Sequence, residues 1–316
     1  MLLWLLVRRR RCDLAYVYHP PITVGLAAAL AGLVRRLPFV LDIQDLWPDT
    51  LTATGMAGAA QVAPLVGALC QFVYRRAAAI IVQSEGMRRA LVARGVPASK
   101  ISVIHNWAMA EPERAGAEQA DATRPFTIVY GGNLGRAQAL GTVIEAAAIL
   151  AVTAPAIVID LYGEGIEAAA LRAQAKHLGL ANLRLHGRVS HDRITAIFAG
   201  ADALLLHLAD DPLFAITVPS KTQAYLAMGR PIVAGIGGEA AELLCRSGGA
   251  DVVPPQDAGA LAAAMRTLSE KSVQERAAMG ARGREFYRAQ FSFGAGMAQT
   301  LAVLAGTNAK ESRRHL

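Results

Sequence analysis

Residues 218–235 read VPSKTQAYLAMGRPIVAG, an order of residue types that specifies a short helix delivered to a buried strand. Pro219 suits the first turn of a helix, where a missing N–H costs nothing. Ser220 can accept a bond from an orphan amide, and Gly229 can take the left-handed conformation that ends the helix. From Pro231 the chain turns apolar, as a strand covered on both faces requires. The helix is about three turns long, so its free amides and partial positive pole lie close to the strand ends. Lys221 in that first turn adds a full charge, a combination suited to a diphosphate. The competing account is a solvent-facing lysine beside a structural cap.

The same alternation extends outward in both directions. Strands are expected near 126–130, 157–162, 183–186, 203–207, 231–234 and 251–253, each followed by a helical stretch. Towards the N-terminus, Leu14 to Tyr18, Phe39 to Ile43, Ala79 to Gln83 and Ile101 to Ile104 read as strands buried on both faces, with helices near 22–36, 60–78 and 84–94. Strand–helix alternation specifies parallel sheets covered by helices. Glu111 to Arg124, EPERAGAEQADATR, is polar and aperiodic and reads as a linker between two such sheets. The region 273–306 reads as helical and Thr307 to Leu316 as a polar tail. Met1 falls inside what reads as the end of a helix, so the first domain is expected to be incomplete.

With 316 residues, the chain has room for two cores. Its hydrophobic fraction of 53% with only 6% aromatic residues favours helices packed on sheets over an all-β sandwich. Three cysteines, Cys12, Cys70 and Cys245, lack metal-ligand spacing and fit a reduced, cytoplasmic setting. No apolar run is long enough to span a bilayer. Residues 1–110 hold 12 Lys+Arg against 5 Asp+Glu, whereas the remaining residues hold 20 of each. The whole net charge of +7 therefore sits in the first third, with paired arginines at Arg35/Arg36, Arg75/Arg76 and Arg88/Arg89. Such a distribution presents that part to an anionic membrane surface or a phosphate-bearing partner, or else is a set of solvated helix ends. The basic residues lack interleaved aromatics, which argues against nucleic acid.

In parallel sheets, ligands bind beyond the carboxyl ends of the strands. The residues falling there include His19, Gln44, Asp45, Gln83, Ser84 and Asn106 in the first part, and Gly132, Asn133, Arg136, Gly163, Arg188, His207 and Glu239 in the second. The turn GGNLGR, 131–136, can bring backbone amides to a phosphate, with Arg136 as a bidentate donor. Gly163 is read as a turn residue, and Arg188 as either a neighbour of a nucleobase or a surface arginine. Asp45 can orient a hydroxyl or act as a base, or can cap the next helix. His19 and His105 are expected to make structural hydrogen bonds. No Asp-x-Asp pair or His/carboxylate cluster is placed to hold a metal, so charge on a diphosphate falls to Lys221, Arg136 and helix amides.

Four segments, FVLDIQDLWPD, AAAIIVQSEGMRRALVARGVPASKISVIHNW, VYGGNLGRAQALGTVIEAA and VPSKTQAYLAMGRPIVAG, together resemble glycosyltransferase family 4, in the branch similar to bacterial N-acetyl-L-fucosamine transferases of O-antigen and capsule synthesis. The resemblance runs from about Asp13 to Phe291 and implies a GT-B fold, an α/β architecture of two Rossmann-like parallel-sheet domains facing a cleft. It places a partial acceptor-side domain at 1–110, the linker at 111–124, a donor-nucleotide domain at 125–280, and helices crossing back with a polar tail at 281–316. It implies transfer of a sugar from a nucleotide-sugar donor, taken as UDP-linked, with retention of configuration and no required metal or other cofactor. The acceptor it implies is a lipid-linked or other saccharide at the inner membrane face, with Gln44 and Asp45 as catalytic residues. The residues taken as donor contacts are Gly132, Asn133, Arg136, Gly163, Arg188, Ser220, Lys221 and Thr222; the family's own ribose contact has no counterpart here, and Glu239 is assigned to it by position alone.

The chain departs from the family pattern in several places. Gln44 stands where a histidine is frequent, so a contact with the donor sugar there would be a neutral hydrogen bond. Ile216 and Ala224 replace a pair of glutamates, and Asn133 and Gln138 replace an arginine and a lysine. Family members also carry further strand–helix units before the first strand seen here. Two other functions fit the same residues: a non-catalytic binding or scaffold protein, and a sugar-nucleotide epimerase of the same fold.

Overall fold

The computed structural model describes residues 12–19, 21–53, 55, 58–108 and 124–314. The helix end expected before Arg11 and the linker up to residue 123 lie outside these residues. Two compact units emerge. The first comprises the described residues up to Asn106, with Ile216–Val218 and the chain from Phe293; the second comprises Trp107–Ala215 and Pro219–Ser292.

In the first unit, β1 (Ala15–His19), α1 (Ile22–Arg35), β2 (Phe39–Ile43), α2 (Asp49–Ala53), α3 (Ala59–Arg76), β3 (Ala79–Val82), α4 (Glu85–Ala93) and β4 (Ile101–Val103) follow one another. The strands form one parallel sheet in the order β1-β2-β3-β4. Every residue of β2 is buried, as its apolar run requires. β1 departs from the expectation of burial on both faces: Tyr16 is 45% and Tyr18 56% exposed. β1 ends the sheet among the described residues, and one of its faces meets solvent. Val40, Ile81 and Ile104 make a core on which Val303 and Leu304 pack.

The second unit runs through β5 (Phe126–Gly131), α5 (Gly141–Thr153), β6 (Ile157–Tyr162), α6 (Ala168–His177), β7 (Leu183–Gly187), α7 (His191–Gly200), β8 (Ala203–His207), α8 (Pro212–Ala215), α9 (Ser220–Met228), β9 (Ile232–Gly235), α10 (Gly238–Ser247), β10 (Ala250–Val253), α11 (Ala258–Glu270) and α12 (Val273–Gln290). Its parallel sheet has the order β10-β9-β8-β5-β6-β7. From β5 the chain winds outward to β7, then returns to the other side of β5 as β8. The winding direction therefore reverses between β5 and β8, which opens a crevice at their carboxyl ends. Tyr130, Ile144, Leu205 and Val233, all fully buried, belong to the core beneath it.

The last helix, α13 (Phe293–Arg314), belongs to the first unit. It corrects the expected polar tail, because the chain stays helical from Thr307 to Arg314. Thr307 is buried, and its hydroxyl donates to the Val303 carbonyl at 2.7 Å, so a polar residue is accommodated without leaving the helix. Among the described residues no helix is long and apolar enough to cross a membrane.

Ser84, one of the strand-end candidates, has a structural task. Its hydroxyl accepts from the Met87 amide at 3.0 Å as the N-cap of α4 and donates to the Ile216 carbonyl at 2.6 Å. Ser84→Ala removes the cap and leaves a carbonyl short of its donor, so the first unit should lose about 1–3 kcal/mol. Chemical denaturation of the variant, with Ser84→Thr as the conservative partner, checks this; an unchanged midpoint for the alanine variant would contradict the assignment.

Candidate functional site

At the crevice of the second unit, α9 delivers Lys221 onto the end of β5. Pro219 occupies the N-cap position and Gly229, with φ of 68°, closes the helix in the left-handed conformation. Ser220 is the first helical residue, and no side-chain cap bond is made at this terminus, which corrects the expectation that the serine hydroxyl caps the helix. The Lys221 ammonium donates to the Tyr130 hydroxyl at 2.5 Å and stands 4.2 Å from the centroid of that ring. The Tyr130 hydroxyl in turn donates to the Asn133 carbonyl at 2.6 Å. Burial pushes the Lys221 pKa down from its ordinary 10.5 to about 7. The ring face offsets part of that cost, by about 0.5–2 kcal/mol.

The turn below the lysine is held open by glycine. Gly132 has φ of 147°, and a β-carbon there would lie 2.4 Å from the Lys221 Cε. A β-carbon at Gly163 would come within 1.7 Å of the Gly132 carbonyl oxygen, so Gly163 is required where the turns after β5 and β6 pass each other. The Gly132 amide donates to the Tyr162 carbonyl at 2.9 Å, and the Tyr225 hydroxyl accepts from the Gly131 amide at 3.1 Å.

The other expected donor residues are disposed unequally. Asn133 and Arg136 are exposed on the turn after β5, and the Arg136 guanidinium lies 3.6 Å from the Glu167 carboxylate. Arg188 is exposed directly after β7. Glu239 lies in the first turn of α10, where the helix dipole favours a carboxylate. Thr222 is fully buried with its hydroxyl unpaired among the described residues, as is the neighbouring Gln223 amide. His207, at the end of β8, is buried and tied down: its Nδ1 donates to the Gln138 carbonyl at 2.8 Å, and burial lowers its pKa.

In the first unit, the carboxyl end of β2 carries a polar network that sequence reading reached only in part. Asp42 is buried within β2 and accepts from the Tyr16 hydroxyl, from the Gln44 amide at 2.8 Å and from the Gln83 amide at 2.9 Å. Burial raises its pKa, and the three hydrogen bonds pull it back. Gln44 also accepts from the Asn106 amide at 3.0 Å, so both ends of its side chain are held. His105 Nδ1 donates to the Gln83 carbonyl at 2.8 Å, as expected of a structural histidine. His19 is buried, with its pKa lowered by burial, and neither ring nitrogen has a hydrogen-bond partner among the described residues. Arg94 donates to the Trp47 carbonyl at 3.0 Å and pairs with Asp49 at 2.5 Å, which fixes the loop that bears Asp45. Asp45 itself is half-buried, with its pKa raised by that burial. A carboxylate inside a wholly apolar strand was the available sign of Asp42, since such groups are rarely buried without partners.

Residues 1–107 match the model of the glycosyl transferase 4-like domain, and residues 125–271 match that of the glycosyl transferases group 1. The two matches follow one another along the chain. It is 30% identical over 202 residues to the putative colanic acid biosynthesis glycosyl transferase WcaI of Escherichia coli, a match covering 60% of this chain and 49% of that protein. The chain thus spans about half the length of this curated relative. Among solved structures, it resembles the Anabaena protein HepE in complex with UDP and glucose, with a TM-score of 0.74 at 19% identity, over 92% of this chain and 77% of that one. It also resembles a UDP-forming α,α-trehalose-phosphate synthase from Burkholderia vietnamiensis, with a TM-score of 0.69 at 15% identity, over 92% and 70% of the two chains. The chain therefore has the GT-B fold.

The position of Lys221 makes it a load on stability. Its folded-state pKa of about 7 lies below the ordinary 10.5, so the unfolded chain holds more protons between those values and stability rises with pH across that window. Lys221→Met keeps the length of the side chain and removes the charge. The variant should melt higher than the parent near neutral pH, with the gap closing as pH approaches about 10. Thermal denaturation across that range checks this; a gap independent of pH would mean that Lys221 is not desolvated.

Proposed function

We propose that the chain is a retaining glycosyltransferase that takes a sugar from a UDP-linked donor. The reading rests chiefly on Lys221, whose ammonium is held over Tyr130 at the β5/β8 crevice beside the glycine turn 131–132. A diphosphate at that point would receive the amides of the α9 terminus, together with a lysine that regains its proton once an anion lies beside it. UDP occurs in the names of both structural neighbours described above, which supports this nucleotide. Arg136, Asn133 and Gly132 would border the phosphates, Arg188 the base and Glu239 the ribose. Thr222 and Ser220 would set the helix that carries Lys221.

In the reaction, the bond between the anomeric carbon and the diphosphate breaks while an acceptor hydroxyl bonds to that carbon from the same face and passes its proton to the departing diphosphate oxygen. The negative charge that develops on the diphosphate is met by Lys221 and backbone amides, with no metal required. On the first unit, Gln44 supplies a fixed neutral amide to the sugar and Asp45 orients the acceptor hydroxyl. The acceptor is a lipid-linked saccharide of cell-surface polysaccharide synthesis, in keeping with the colanic acid relative and with the basic first third of the sequence. The enzyme would meet it as a peripheral protein on the cytoplasmic face of the membrane.

Titration calorimetry with UDP tests the donor half. Lys221→Ala should weaken UDP by about 10- to 100-fold, the loss expected for a charge-assisted contact. At pH 8, binding to the parent chain should take up protons, seen as a heat that depends on the buffer, and this uptake should vanish in the variant. Unchanged affinity in Lys221→Ala would remove the diphosphate role. Asp45→Asn should slow transfer while leaving UDP affinity intact; full turnover in that variant would leave Asp45 a structural carboxylate.

A further inference from the structure

A cavity of about 740 Å³ lies in the first unit at the opposite edge of the sheet from Gln44 and Asp45. Its lining comes from the segments that enter β2, β3 and β4, so it opens at the amino ends of parallel strands. A space of this size falls within the range of small-molecule sites, about 300–1,000 Å³. Four of its lining residues are cations, Arg36, Arg75, Arg76 and Lys100, and among the described residues no carboxylate lines it.

Basic residues at helix ends have an ordinary explanation that must be subtracted first. α1 and α3 both end here, each C-terminus carrying roughly half a negative charge, so together they neutralise about one of the four positive charges. Lys100 fills that role: its ammonium donates to the Tyr74 and Arg75 carbonyls at 3.0 Å each. Three guanidinium groups are left over, none with a carboxylate within ion-pair reach among the described residues. Among the described residues Arg76 has the ring of Phe72, 5.8 Å from its guanidinium carbon. Arg36 carries a second signal. It follows α1 with φ of 54°, a left-handed position that normally selects glycine or asparagine. An arginine kept in a conformation disfavoured for its type argues that its side chain is used.

We propose that this cavity binds a phosphate-bearing group, with Arg36, Arg75 and Arg76 as its donors. The planar guanidinium fork matches phosphate geometry, and all three groups stand exposed along the cavity, open to an arriving anion. The phosphate could be that of a soluble polyphosphate or the head of an anionic lipid. Leu33 on the rim, with Leu30 and Val34 also exposed on α1, gives the second source an apolar surface to rest on. The site is independent of the donor diphosphate, which the proposed function assigns to the second unit.

The test uses the full chain with Lys221→Met, so that a phosphate compound does not report on the donor position. Tripolyphosphate is titrated by calorimetry, and sedimentation is measured with phosphatidylcholine vesicles with and without phosphatidylglycerol. Each is repeated after Arg36→Gln, Arg75→Gln and Arg76→Gln are combined. Tripolyphosphate binding that falls on the order of tenfold or more in the triple variant supports a soluble ligand. Sedimentation that requires phosphatidylglycerol and is lost in the triple variant supports a lipid head. Absence of both kinds of binding, or binding that the three substitutions leave unchanged, overturns the proposal. Should the triple variant melt early, hydrogen exchange on the chain with its arginines intact decides instead: the ligand must slow exchange at residues 76–79. UDP titration of the parent chain reports separately on the donor position, so the two ideas can fail independently.

Discussion

A desolvated ammonium group is the constraint around which the second unit is arranged. Lys221 could lie against Tyr130 only because the turn after β5 has no side chain at Gly132, and that turn keeps its shape because Gly163 lets the next one pass close by. Tyr130 is itself held by the Asn133 carbonyl, and the Gly131 amide by Tyr225 from the same helix that carries the lysine. Helix, turn and ring thus fix one another. The arrangement carries an electrostatic cost, seen in the lowered pKa of the lysine.

The first unit solves a different problem with neutral groups. Asp42 gathers hydroxyl and amide donors from β1, from the loop after β2 and from the end of β3, and through Gln44 reaches Asn106 beyond β4. A buried carboxylate with three donors has most of its roughly four lone-pair sites occupied and gives the neighbouring glutamine a single orientation. Gln44 carries no charge at any pH, whereas Asp42 and Asp45 at the same strand end do titrate, each with its pKa raised by burial.

Most of the architecture was legible because parallel strands buried on both faces leave apolar, β-branched runs with little ambiguity. Phe39–Ile43 and Ile157–Tyr162 have the bounds expected of them, and Gly229 ends its helix as a left-handed residue should. Legibility declined where partners are distant in sequence. Nothing in the local sequence around Tyr130 points to a lysine 91 residues on, nor around Tyr16 to Asp42. Ser220 misled because proline took the cap position, and Thr307 because a threonine can return its hydroxyl to its own helix. β1 misled because burial depends on what lies beside a strand, which composition does not encode.

The passage of the chain between units has its own consequence for how the molecule is made. Val303 and Leu304 complete the core around Val40, Ile81 and Ile104, although the whole of the second unit lies between them in the sequence. During synthesis the strands of the first unit must therefore wait, with that patch uncovered, until Val303 and Leu304 have left the ribosome. Cutting the message at the linker would not yield a finished half, because the first unit is contiguous in space but not along the chain.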